Sequence, residues 1–126
     1  MITEDYVSFE TAKLLKEKGF DKCTLLSYDK NGNNKDALRP FLESEGDVRK
    51  PTLQMAMKWL REVHHYYIQV MLDSWACGGH MGYYVVIQKT DSDFEIMLQD
   101  FVDEVFYQTY EQACEAAIKY CLENLI

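Results

Sequence analysis

Pro51-Thr-Leu-Gln-Met-Ala-Met-Lys-Trp-Leu-Arg-Glu-Val-His64 runs directly into His65-Tyr-Tyr-Ile-Gln-Val-Met-Leu72, and the hydrophobic period changes where the two meet. In the first segment Leu53, Ala56, Met57, Leu60, Val63 and His64 recur at three- and four-residue steps, which lines them down one side of a helix. Trp59 lies beside that stripe and widens it, while Lys58, Arg61 and Glu62 fall off it. Thr52, just after Pro51, can accept the first free amides and start the helix. In the second segment Tyr, Ile and Val crowd together, the composition of a strand. Tyr83 to Lys89 is richer still, and Thr90-Asp91-Ser92-Asp93 is a short polar turn into Phe94 to Asp100. Those last two strands should form an antiparallel hairpin. A helix followed by strands that fold back on one another is the pattern of an α+β domain.

Working outward, the amino-terminal end shows the same punctuation. Ser8 is a good N-cap, and Val7 before it can staple onto Ala12. Gly19 supplies the stop, so the first helix should cover about 9–18, with Phe20 folding back on its end. Lys22 to Tyr28 reads as a strand, closed by the polar cluster Asp29-Lys30-Asn31-Gly32-Asn33-Asn34. Residues 35–50 carry no clear period and are expected to be loop, with a short strand or helical turn near 40–44. Phe101 to Gln108 should extend the sheet or form an irregular edge. At the carboxy-terminal end Thr109-Tyr110-Glu111-Gln112 is a capping box. Behind it Ala113, Ala117 and Cys121 form one ridge, with Cys114, Ile118 and Leu125 alongside. The expected order is α-β-α-β-β-β-α: one α+β domain over 1–126, with three helices on one face of a small, mainly antiparallel sheet of three to five strands.

At 126 residues and 48% hydrophobic content, one core can form. The net charge of −8 is unevenly placed. Residues 1–63 balance, whereas 64–126 carry only Lys89 and Lys119 against ten carboxylates, so the whole excess lies there. A protein that grips a phosphate backbone needs the opposite sign, which argues against direct nucleic-acid binding. The longest apolar run, Tyr83 to Ile87, is far too short to span a bilayer. With an acidic start at Met1-Ile2-Thr3-Glu4-Asp5, the chain is expected to be cytoplasmic. Its cysteines, Cys23, Cys77, Cys114 and Cys121, should then stay reduced. Cys23, Cys114 and Cys121 are read as small buried hydrophobes.

Two regions could carry function. The tyrosine doublets Tyr66-Tyr67 and Tyr83-Tyr84 sit on strands, so one member of each must face away from the core. Exposed aromatic residues are typical of protein contact surfaces. Together with Trp75, Asp91 and Asp93 they make the candidate interaction surface; ordinary cross-strand aromatic pairing is the plainer reading of the same residues. The second region is Asp73-Ser74-Trp75-Ala76-Cys77-Gly78-Gly79-His80. Cys77 and His80 could serve as nucleophile and base, with Asp73 orienting the imidazole. Cys77 and His80, with His64 and His65, could instead offer zinc ligands. Adjacent histidines make a poor second ligand pair, and no hydrolase signature surrounds the cysteine. No phosphate-binding glycine loop, serine elbow or paired catalytic carboxylates are present, so no catalytic residue, metal or cofactor is assigned.

Three segments carry a resemblance: Asp5 to Phe20, Pro51 to His64 and Tyr110 to Ile126, about 47 residues in all. They resemble a group of small proteins encoded by phages and mobile elements of gut Bacteroidales-type bacteria. The likeness covers the three helices and is loose through 21–50 and 65–108. It implies an accessory, phage-derived context and a helical frame displaying a changeable sheet surface; it brings no activity, cofactor or site residue. The expected function is a non-enzymatic protein-interaction module that binds another protein or itself as a homodimer. The alternatives are a small cysteine enzyme or metal protein centred on Cys77 and His80, and an acidic mimic of nucleic acid, its charge supplied by Asp91, Asp93, Glu95, Asp100, Asp103 and Glu104.

Overall fold

The computed structural model describes residues 2–22, 24–35, 46–73, 82–98 and 107–126. Its first helix, α1 (Phe9–Glu17), begins where Ser8 accepts the Thr11 amide through its hydroxyl (3.2 Å). It ends on Gly19 at φ +96°. The Gly19 amide turns back to the Lys16 carbonyl and the Phe20 amide to that of Leu15, the paired bonds of a Schellman motif. Phe20 is thereby delivered into the core beside Leu15, as its position after the stop predicts.

Two short strands follow, β1 (Leu26–Tyr28) and β2 (Asn34–Lys35), joined by the expected turn. The Asp29 carboxylate accepts the amides of Asn31 and Asn33 (2.8 and 2.9 Å). Gly32 in that turn sits at φ +85°, and a Cβ there would lie 2.8 Å from the Phe9 ring. Only glycine meets both conditions without strain. β3 (Val48–Lys50) pairs with β1 on its other side, giving an antiparallel sheet in the order β2-β1-β3. The first strand is shorter than the Lys22–Tyr28 run, since Leu25 points into solvent. The expectation for 40–44 lies outside the described residues.

Helix α2 (Leu53–Val63) opens on Thr52, whose hydroxyl accepts the Met55 amide (3.1 Å). Leu53, Ala56, Met57, Trp59 and Leu60 are buried, whereas Val63 is half exposed because the helix stops there. β4 (Tyr66–Asp73), β5 (Gly82–Lys89) and β6 (Glu95–Leu98) form a second antiparallel sheet in the order β4-β5-β6, with the turn at 90–93 closing the predicted hairpin. Helix α3 (Tyr110–Tyr120) starts on Thr109, which accepts the Gln112 amide (3.1 Å). It passes into a π-helical turn, Cys121–Leu125.

The fold is α+β with three helices, and its elements follow the expected order roughly: β2 and β3 are added between β1 and α2, the latter within the stretch 35–50 expected to be loop. The strands are divided between two three-stranded sheets instead of one. The first sheet exists because Val48–Lys50 returns to β1, a segment too short to show a period. Ala113, Cys114, Ala117, Ile118, Cys121 and Leu122 are fully buried, in one core with Leu60, Val85 and Ile87. Burial raises the thiol pKa of Cys114 to about 11 and of Cys121 to about 12. Both are free thiols and act as apolar filler, as expected of them.

His64 closes the end of α2. Its ring stands edge-on to Trp59 (centroids 4.6 Å apart), and its Nε2 is buried with no hydrogen-bond partner among the described residues. Burial first, and His65 second, lower its pKa below the ordinary value. The unfolded chain protonates this imidazole near pH 6.5 while the folded chain resists it. Stability is therefore complete above about pH 6.5 and falls as the pH drops from there toward the lower folded value. Melting temperatures measured from pH 7.5 to 5 should fall more steeply for the wild type than for His64→Gln. Equal slopes would place the titration elsewhere.

Candidate interaction surface

Alternation along β4, β5 and β6 assigns each side chain to one face of the second sheet. Val85 and Ile87 are fully buried, so the residues opposite them, Val70 and Ile68 on β4 and Leu98 and Ile96 on β6, share the inner face. The outer face therefore carries Tyr67, Gln69 and Met71 from β4, Tyr84, Val86 and Gln88 from β5, and Glu95 and Met97 from β6. Of each tyrosine doublet, Tyr67 and Tyr84 point outward.

Their partners turn in and are used by the core. The Tyr66 hydroxyl donates to the Leu125 carbonyl (3.1 Å), and its ring meets Phe94 edge-on at 6.2 Å. Tyr83 packs edge-on against Tyr110 at 6.3 Å, and its backbone exchanges two hydrogen bonds with Tyr107. Tyr66 and Tyr83 are thus engaged by the fold, but not as cross-strand aromatic pairs, since Lys89 and Leu72 stand opposite them. Asp91 and Asp93 lie in the hairpin turn at one end of the sheet. Asp91 stands 3.9 Å from Lys89, and Asp93 lines a shallow hollow beside Tyr67 and Phe94. Trp75, Cys77 and His80 lie outside the described residues.

The outer face has an apolar middle. Met71 is opposite Tyr84, and Val86 is flanked by Gln69 and Met97, so Met71, Tyr84, Val86 and Met97 adjoin one another. Met97 is 48% exposed and Met71 39%. Sequence reasoning passed over these two methionines and Val86, although period-two alternation from Tyr67 and Tyr84 reaches all three. A polar diagonal crosses one side: Gln69 donates to Gln88, and Gln88 to Glu95. Among the described residues the face carries carboxylates at its margins, Asp73 and Glu95, and no lysine or arginine. An apolar centre with a charged rim is how a protein contact surface is built.

A separate groove of about 780 Å³ runs between the amino-terminal segment and α3, walled by Tyr6, Tyr28, Leu53 and Tyr107. Lys50 already lies over the rings of Tyr6 and Tyr28, at 5.1 and 4.8 Å from their centroids. Glu115 is committed to the first turn of α1: one of its oxygens accepts the amide and hydroxyl of Ser8 and the hydroxyl of Thr11. Among the described residues no three His, Cys, Asp or Glu side chains are placed to hold a metal ion. None of the described helices is long and apolar enough to cross a membrane. No protein-family model, curated protein or solved structure matches the chain.

Proposed function

We propose that this chain is a non-enzymatic protein-interaction module whose docking surface is the outer face of the β4-β5-β6 sheet. The adjoining Met71, Tyr84, Val86 and Met97 on one face of a regular sheet, with Met71 and Met97 exposed, carry the reading. Flat apolar area held on rigid strands loses little entropy when a partner covers it, and methionine adapts to the shape it meets. The acidic margin at Asp73 and Glu95, with Asp93 beyond Tyr67, selects for a partner carrying lysine or arginine around an apolar centre.

The test compares capture from a host lysate by the wild-type chain and by Tyr84→Ala combined with Met97→Asp. Both positions face away from the core, so the far-UV spectrum should be nearly unchanged. Removing an aromatic anchor and burying an unpaired carboxylate should weaken a specific partner's retention at least about tenfold. If every retained protein is captured equally well by the variant, the outer face is not the docking surface.

A further inference from the structure

The edge of β4 away from β5 holds a second clue. The Thr90 amide donates to the His65 carbonyl (2.8 Å), and the Lys89 amide donates to the Phe94 carbonyl, away from β4. Lys89 is opposite Tyr66. In an antiparallel ladder hydrogen-bonded and non-bonded pairs alternate. Tyr66, Ile68, Val70 and Leu72 therefore aim their amides and carbonyls outward. Among the described residues no strand is paired with that edge.

Exposed edges are usually blunted by lysine, proline, a bulge or shortness. β4 runs for 8 residues, Tyr66–Asp73, in unbroken register with β5, and contains no lysine, arginine or proline. Leu72 adds a specific sign of a missing neighbour. Its alternation places it with the inner-face residues, yet it is 55% exposed.

We infer that β4 pairs antiparallel with β4 of a second copy of this chain, about a two-fold axis at Gln69, making one six-stranded sheet. Residues opposite each other across an antiparallel pair must belong to the same face, which confines the axis to a residue position. With the axis at Gln69, Ile68 pairs with Val70 and Tyr66 with Leu72 of the other copy. Every outward amide and carbonyl of the described strand is then satisfied. An axis at Val70 would carry Tyr66 past the end of the opposing strand. The side chains agree with the first choice. Leu72 is covered by Tyr66 on the inner face, and Tyr67 meets Met71 on the outer. The Gln69 amides meet on the axis, and Asp73 falls beside His65, not beside another acid. A self-complementary patch of this kind closes into a two-fold dimer. An unrelated peptide would have no reason to match both faces and both ends.

Mass measurements by light scattering, in a series reaching about 100 µM, should show the wild type moving from one chain to two. Leu72→Pro removes an outward amide while leaving the β5 ladder intact, and Gln69→Lys sets two like charges face to face on the axis. Each should raise the dimer Kd at least tenfold with an unchanged far-UV spectrum. Should the proline variant lose its fold, the lysine variant alone decides. Gln69→Cys provides the positive control. Non-hydrogen-bonded pairs bring Cα atoms to about 4.5 Å, within disulfide reach, so mild oxidation should link two chains. The wild type and Met97→Cys should not link. A wild type that stays monomeric throughout, or a dimer untouched by both edge variants, overturns the pairing. Capture through the outer face is read in Leu72→Pro, which leaves every side chain of that face in place.

Discussion

Trp59→Ala should destabilise the domain by about 4 kcal/mol, the range seen when a large buried aromatic ring is deleted. Trp59 is 6% exposed, and it joins the end of α1 to the end of α2. The Phe20 ring, delivered by the stop of α1, meets it edge-on at 5.4 Å, and the His64 ring at the end of α2 meets it at 4.6 Å. Deletion removes both contacts along with the burial of the indole. Domains of this size are stable by roughly 5–15 kcal/mol, so the loss is a large share of the total. Urea titration should show a midpoint shifted well down with little change in slope. Trp59→Phe retains the edge-on geometry and should cost about 1–2 kcal/mol. A loss under about 1 kcal/mol for the alanine variant would mean that Phe20 and His64 do not depend on the indole.

The parts of this fold that were legible in the sequence are those fixed by neighbours in the chain. Ser8, Thr52 and Thr109 each accept an amide three residues on, and Gly19 needs only its own positive φ. The hairpin at 90–93 is equally local. Alternation required one tyrosine of each doublet to face out, but the sequence could not say which. That choice is set by the pairing of Tyr67 with Gln88 and by the burial of Val85 and Ile87 under α3, both contacts between distant segments. The division into two sheets was hidden for a similar reason: β3 reaches β1 across about 20 residues, and three residues cannot display a period. Leu122 was passed over although Cys114, Ile118 and Leu122 follow one another at four-residue steps, whereas Leu125, placed alongside them, lies in the π-helical turn over 121–125 and is only partly covered.

Glu115 shows how much a non-local contact can weigh. It lies midway along α3, yet one carboxylate oxygen accepts the Ser8 amide at 3.1 Å, the Ser8 hydroxyl, and the Thr11 hydroxyl at 2.6 Å. The first turn of a helix gathers free amides and the positive end of its dipole. A carboxylate supplied from another helix answers both and locks α1 to α3. Thr11 is fully buried, so its hydroxyl has no water to turn to when the carboxylate is removed. Glu115→Ala should therefore cost about 3 kcal/mol, combining lost charge-assisted hydrogen bonds with a stranded buried donor. Glu115→Gln keeps an acceptor without the charge and should cost roughly half as much. Thr11→Val removes the buried hydroxyl itself, so the alanine variant should be less damaging in that background. The double-mutant cycle should return a coupling of about 1–2 kcal/mol. Strict additivity would show that Glu115 and Thr11 act separately, and that α1 is held to α3 by apolar packing alone.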